Sequence, residues 1–326
     1  MSVLLDVRNL SVRFRTRSGV VSAVDDVSYE VEEGRFFGIA GESGSGKTMS
    51  ALALLQLLPN GAELRGTAKF GGRDLLQLGK RQLRRTRGRE IAIVFQDPMT
   101  SLHPMLTVGR QMTEHMRTHL GLGNRAARRR AEGLLEQVRL PNPAAALGAY
   151  PHQFSGGMRQ RLAIAMALAC GPKLLIADEP TTALDVTVQA EILRLLSRLR
   201  EEMGLTVMLI THDLGVMSAV ADVISIFYAG RIVESGPAAD VLKHPRHPYT
   251  HGLLAALPHP EDPAARIEGI PGMPPALTER LEGCAFWPRC AWASPESQTV
   301  RPELRRIGER RLACHVDPFA DAGERA

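Results

Sequence analysis

The sequence predicts an α/β fold built on a parallel sheet, and two observations predict it. Short, continuous apolar runs recur along the chain, and helical patterns separate them. Runs without alternation suit strands covered on both faces. They are Phe36–Ala40, Ile91–Phe95, Leu174–Ala177, Val207–Ile210 and Val223–Phe227. Val188, Ile192, Leu195, Leu199 and Met203 recur at helical spacing, and Gly204 closes that helix. The N-terminal segments Val3–Phe14 and Val20–Val31 read differently, as antiparallel strands joined around Ser18-Gly19. From about residue 98 to 168 the alternation gives way to helices and loops. There Arg125, Arg128, Arg129 and Arg130 belong on a solvated helix face, and the basic residues of the earlier segment Arg73–Glu90 read as a solvated surface, with phosphate contact as the alternative. Beyond about residue 240, crowded prolines and absent periodicity predict an ordered but irregular extension.

Composition narrows the classes. The chain has 326 residues, 44% of them hydrophobic, which excludes a wholly disordered protein. Its formal charge of +5 suits an acidic ligand without marking a nucleic-acid binder. Four cysteines, three of them late, make no disulfide scaffold. The longest apolar run, Leu162–Cys170, is far below the ~20 residues that span a bilayer. No basic segment followed by an apolar stretch opens the chain, so a soluble, cytoplasmic protein is expected unless something tethers it.

The most specific motif is Gly41-Glu42-Ser43-Gly44-Ser45-Gly46-Lys47-Thr48, a complete G-x-x-x-x-G-K-[ST] between a strand and a helical run. Its glycines let backbone N–H groups converge on phosphate oxygens, and the following helix adds its positive end. Lys47 is expected to reach the β- and γ-phosphates and Thr48 to ligate Mg²⁺. Leu174-Leu175-Ile176-Ala177-Asp178-Glu179 delivers two carboxylates to a strand's carboxyl end. Asp178 fits a magnesium ligand and Glu179 a general base, with a metal-shell or capping carboxylate as the alternative for Glu179. A second glycine pair, Ser155-Gly156-Gly157, opens another helix, with Ser155 as its N-cap. Either the chain has two separate anion sites, or each is half of a site completed by another copy.

These residues resemble the nucleotide-binding subunit of ABC transporters. The segment Phe154–Gln160 stands upstream of Asp178-Glu179, as in that family's signature. The resemblance implies an ABC ATPase core on a P-loop fold, with an N-terminal antiparallel β subdomain, a helical signature subdomain and a C-terminal extension. It implies that Gln96 is the glutamine-loop residue sensing Mg²⁺ or water, Asp185 lies in the loop lining a dimer contact, and His212 contacts the γ-phosphate. Phe14 takes the place of the aromatic that stacks on adenine. Taken alone, His212 reads as a polar residue at a strand end and Phe14 as core. The boundaries expected are 1–97 and 170–240 for the core, 98–169 for the helical part and 241–326 for the extension.

Gln96–Leu102, Tyr150–Arg161 and His247-Pro248-Tyr249-Thr250 resemble, more narrowly, the ATPases of dipeptide, oligopeptide and nickel importers. That likeness implies ATP and Mg²⁺ as cofactors. It also implies two membrane-spanning permease subunits, a second ATPase subunit and an extracytoplasmic solute-binding protein, with this chain peripheral on the cytoplasmic face and no nucleic acid involved. Such importers often carry four late cysteines holding an iron–sulfur cluster. Cys284, Cys290 and Cys314 match three of them, and Ser297 stands at the third position of the four. A four-thiolate cluster is therefore unavailable, since a serine alcohol is a hard, poor substitute. Three reduced thiols in a structural tail are the preferred reading, and a cluster or zinc completed by Ser297, His315 or an outside ligand is the alternative. His244, His247, His251 and His259 read as loop histidines. Rival functions are a soluble ABC ATPase acting on nucleic acid or ribosomes, and a small-molecule kinase.

Overall fold

The computed structural model describes residues 2–16, 19–182, 184–257, 269–276, 278–279 and 281–320. Ser18 of the expected turn, Ala183 beside Asp185, and Pro258, His259, Pro260 and Pro263 of the tail lie outside the described residues. The chain folds as two compact units, one from residues 1–2, 32–36 and 77–210, the other from 3–31, 37–76 and 211–326. In chain order the strands are β1 (Val3–Thr16), β2 (Gly19–Glu32), β3 (Phe36–Ala40), β4 (Ala62–Phe70), β5 (Arg73–Asp74) and β6 (Ile91–Val94). They continue as β7 (Leu174–Asp178), β8 (Thr206–Thr211), β9 (Val223–Tyr228), β10 (Arg231–Pro237), β11 (Arg305–Ile307) and β12 (Arg310–Leu312).

In the first unit β6, β7 and β8 run parallel, with Ile91 opposite Leu174 and Leu174 opposite Thr206. Every residue of β7 and β8 is buried, which is why both read as unbroken apolar runs. Around them lie the helices Val108–Leu120, Asn124–Gln137, Gly156–Ala167 and Val186–Met203. The last is N-capped by Asp185, buries Ile192, Leu195 and Leu199, and ends at Gly204 in the left-handed region at φ 62°. Helix Asn124–Gln137 buries Ala127, Ala131, Leu134 and Leu135, and leaves Arg125, Arg128, Arg129 and Arg130 exposed. The arginine run therefore follows the polar face of an amphipathic helix.

The second unit holds an antiparallel sheet in the order β2-β1-β4-β5. Asn9 N–H donates to Ser28 Oγ and Asp26 N–H to Ser11 Oγ, so partner numbers fall as β1 advances, the mark of an antiparallel pair. β3 lies parallel to β9, and β9 pairs antiparallel with β10. The tail differs from the expectation of irregular structure. It folds into the hairpin β11–β12, and β12 pairs with β10. Strands of three residues, four of their six positions arginine, leave no periodic trace in sequence.

Two of the presumed loop histidines also belong to a helix. His247 caps Pro248–Ala255 and His251 lies inside it. His251 stacks on Phe319 with ring centroids 4.5 Å apart. His247 is buried, accepts the Tyr249 N–H at its Nδ1 (3.0 Å), and is pushed down to a pKa of about 3 by that burial. The unfolded chain protonates this ring near its ordinary pKa of ~6.5, before the folded chain can, so stability present above that pH is lost as pH falls toward 3. Urea titrations at pH 7 and pH 5 are expected to show the wild-type chain losing more stability than His247→Asn, which retains a capping side chain.

Candidate functional site

Strand β3 ends at Ala40 and hands the chain to a loop in which two glycines, Gly41 and Gly46, have no substitute. Gly41 (φ 146°) passes the Phe227 carbonyl oxygen so closely that a Cβ there would collide with it. Gly46 (φ 99°) stands in the same relation to the Ala23 carbonyl oxygen and directly precedes helix Lys47–Leu54. Lys47 is only 5% exposed. Its Nζ donates to the carbonyl oxygens of Gly41 and Glu42, each at 2.8 Å, and approaches Ser45 Oγ at 3.5 Å. The ammonium is thus held inside the curve of its own loop. Ser43 and Gly44 form the exposed rim, and Thr48 lies half-buried in the first turn of the helix.

In the first unit β7 carries Asp178, 5% exposed, opposite Ile210 at its carboxyl end. Glu179 then turns out of the strand with φ 46°, an uncommon backbone for a residue with a long side chain. Its N–H donates to the Ile210 carbonyl oxygen (2.8 Å). Its Oε2 accepts from Gln96 Nε2 (3.0 Å) and from Thr182 Oγ (2.9 Å). Gln96, just past β6, is therefore brought to the carboxylate of Glu179. Thr182 is a residue the sequence reading missed; it lies three places on from Glu179, inside the turn, where no periodicity marks it.

Helix Gly156–Ala167 is capped by Ser155, whose Oγ accepts the Met158 N–H at 3.4 Å. Asp185 caps the neighbouring helix by accepting the Val188 N–H at 2.9 Å. The two helix starts pack together, because a Cβ on Gly157 would stand 2.7 Å from Val188 Cγ1. Arg161 and Glu191 pair between the same helices at 2.7 Å. Ser155, Gly156 and Asp185 stay exposed. Two positive helix ends thus lie side by side, one bearing a hydroxyl and the other a carboxylate.

His212, in the second unit, follows β8 and is exposed. Next to it Asp213 caps helix Leu214–Val220 through its Oδ1, 2.8 Å from Gly215 N. Phe14 sits on β1 opposite Ala62, half-buried rather than in the core. Among the described residues no group of three or more His, Cys, Asp or Glu gathers to hold a metal ion. Burial pushes the Cys284 and Cys290 thiols up, and neighbouring cysteines add to the effect. Ser297 is buried, its Oγ lies 3.1 Å from Ser294 Oγ, and its carbonyl oxygen accepts the Cys284 N–H. His315 is engaged with the Val300 carbonyl oxygen at 2.8 Å.

Residues 24–182 match the ABC transporter family, and residues 233–296 match the C-terminal region of oligopeptide/dipeptide transporters. The oligopeptide transport ATP-binding protein OppD of Haemophilus influenzae is 46% identical over 312 residues, covering 96% of this chain and 96% of its own. The dipeptide transport ATP-binding protein DppD of Escherichia coli is 47% identical over 323 residues, covering 98% of each chain. Among solved structures, a dimeric post-hydrolysis ATP-binding cassette bound to ADP and Pi aligns with a TM-score of 0.64 and 29% identity, covering 72% of this chain and 98% of that one. CbiO1 of Clostridium perfringens, part of an ABC transporter complex, aligns with a TM-score of 0.64 and 25% identity over 74% of this chain and 92% of its own.

The loop geometry sets an order among its glycines. Gly44 (φ 77°) has open space around its Cα, whereas Gly46 faces backbone. Gly44→Ala is expected to cost about 1–2 kcal/mol for the left-handed backbone alone. Gly46→Ala is expected to cost more than about 3 kcal/mol, because backbone must also move. Chemical denaturation of the two variants checks the order.

Proposed function

The chain belongs to the ABC transporter ATP-binding proteins, as an ATPase, and from that premise we propose that it energises import of di- or oligopeptides through separate membrane subunits. The observation carrying the peptide assignment is that the likeness to OppD and DppD extends over nearly the whole chain, tail included. Two permease subunits, an extracytoplasmic solute-binding protein and a second ATPase subunit complete the proposed assembly. The chain would work at the cytoplasmic face of the membrane. No helix among the described residues is long and apolar enough to cross one.

In the proposed mechanism two ATPase subunits close head to tail. ATP then lies between Gly41–Thr48 of one and the exposed Ser155–Gly157 helix start of the other. Residues 1–97 and 170–240 would form the nucleotide-binding core, 98–169 the helical part that offers Ser155, and 241–326 the tail. Asp185 would line the contact between subunits, and Phe14, being half-buried, is open to stack on adenine. Lys47 leaves its carbonyl cage for the β- and γ-phosphate oxygens, which are stronger acceptors. Thr48, Asp178 and the Gln96 amide oxygen are hard oxygen donors that suit Mg²⁺. When bound there, the ion would supply charge stabilisation at the phosphates.

Glu179 accepts the proton of the attacking water. Gln96 and Thr182 aim its carboxylate, and the turn at φ 46° fixes where it points. His212 contacts the γ-phosphate and registers its loss. Both faces prefer the triphosphate, so binding drives closure and hydrolysis releases it. Proteoliposomes carrying the assembled transporter are expected to take up a labelled peptide only with ATP. Glu179→Gln is expected to retain ATP binding while turnover falls by roughly 10²–10⁴-fold. Unchanged steady-state hydrolysis would remove Glu179 from the role of base, and ATP-driven uptake of nickel without peptide uptake would overturn the solute class.

A further inference from the structure

Glu42 is the variable second residue of the phosphate loop, yet each of its polar groups is engaged. Its carbonyl oxygen accepts from Lys47 Nζ at 2.8 Å. Its N–H donates to the Tyr249 hydroxyl at 2.8 Å, 207 residues further along the chain. Its carboxylate meets the Arg289 guanidinium in a two-pronged pair, Nη1 to Oε2 at 2.8 Å and Nη2 to Oε1 at 3.0 Å. Arg289 is 247 residues away and lies between Cys284 and Cys290.

Arg289 is built into place. Its side chain is 4% exposed. Its Nε donates to the Pro271 carbonyl oxygen at 2.9 Å, and its guanidinium lies 5.8 Å from the Tyr228 ring centroid and 5.9 Å from that of Phe286. Tyr249 packs on the same two rings, with centroid distances of 4.6 and 5.4 Å. A planar guanidinium clamped by rings and a carbonyl has one direction in which to present its fork, and Glu42 occupies it. The aromatic cluster of the tail thus ends on the phosphate loop.

We infer that Arg289 and Tyr249 are positioning residues for ATP binding: by holding Glu42 at both its carboxylate and its N–H, they fix the curvature that aims the loop and Lys47 at the phosphates. The inference rests on the reading of Gly41–Thr48 as the ATP-binding loop. Preorganisation of this kind lowers the ordering cost of binding without touching the bond that breaks. It therefore acts on nucleotide affinity more than on the chemical step.

The test uses the full-length chain, equilibrium titration with a fluorescent ATP analogue and Mg²⁺, steady-state ATPase kinetics, and a melting curve for each variant. Arg289→Met and Glu42→Gln are each expected to raise the Kd and KM for nucleotide roughly tenfold, with kcat at saturation within about twofold of wild type. Arg289→Lys is expected to fall between, since an ammonium keeps the charge and loses the fork. Tyr249→Phe, which removes only the hydroxyl, is expected to weaken binding as well. The double variant is expected to bind no worse than the weaker single one, as for two halves of one interaction. Melting temperatures that fall while Kd stays at the wild-type value would reduce the clamp to a structural prop and overturn the inference, as would additive losses in the double variant. A wild-type chain that binds no nucleotide would overturn the phosphate-loop reading itself, which separates that failure from this one.

Discussion

A buried ammonium group organises the phosphate loop. Lys47 is removed from water, and a cation so placed must find acceptors close by. The carbonyl oxygens of Gly41 and Glu42 supply them, and the loop must coil back on itself to do so. That coil carries the backbone against the carbonyls of Phe227 and Ala23, where only glycine passes. Sequence, shape and chemistry are thereby linked. In the proposed mechanism the residues that permit the curve also leave room for phosphate oxygens, which would compete with the loop carbonyls for the same ammonium.

The two capped helix starts of the first unit obey a related constraint. The exposed surface that receives an anion in the proposed assembly is held from behind. Gly157 admits Val188 against the helix backbone, and the Arg161–Glu191 pair ties the two helices along their length. Ser155 and Gly156 are left open on a rigid support. An acidic cap on the neighbouring helix, Asp185, stabilises that helix without closing the opening.

Much of this was legible in the sequence because it is local. The strands read as apolar runs, helix Val186–Met203 read by its period and its closing glycine, and the phosphate loop read as a complete motif between strand and helix. What escaped reading depends on distance along the chain or on backbone geometry. The hydrogen bond from Gln96 to Glu179 spans 83 residues, and no spacing rule encodes it. The positive φ of Glu179 has no compositional signal, since glycine is the residue that would announce it. His247 and His251 are four apart, the spacing of one helix face, but the prolines around them masked a helix of eight residues. The hairpin β11–β12 exists because β10 offers it a partner, and its own residues carry no pattern.

The clasp of Glu42 by Arg289 has a consequence for how such chains evolve. The inferred clasp implies that across related sequences an acidic residue at position 42 should keep company with arginine at position 289, and departures should come in pairs. A chimera joining this N-terminal cassette to a foreign tail would inherit a carboxylate with no mate. The catalytic cassette of this lineage is thus less interchangeable than its motifs suggest, because part of its architecture is written at the opposite end of the gene.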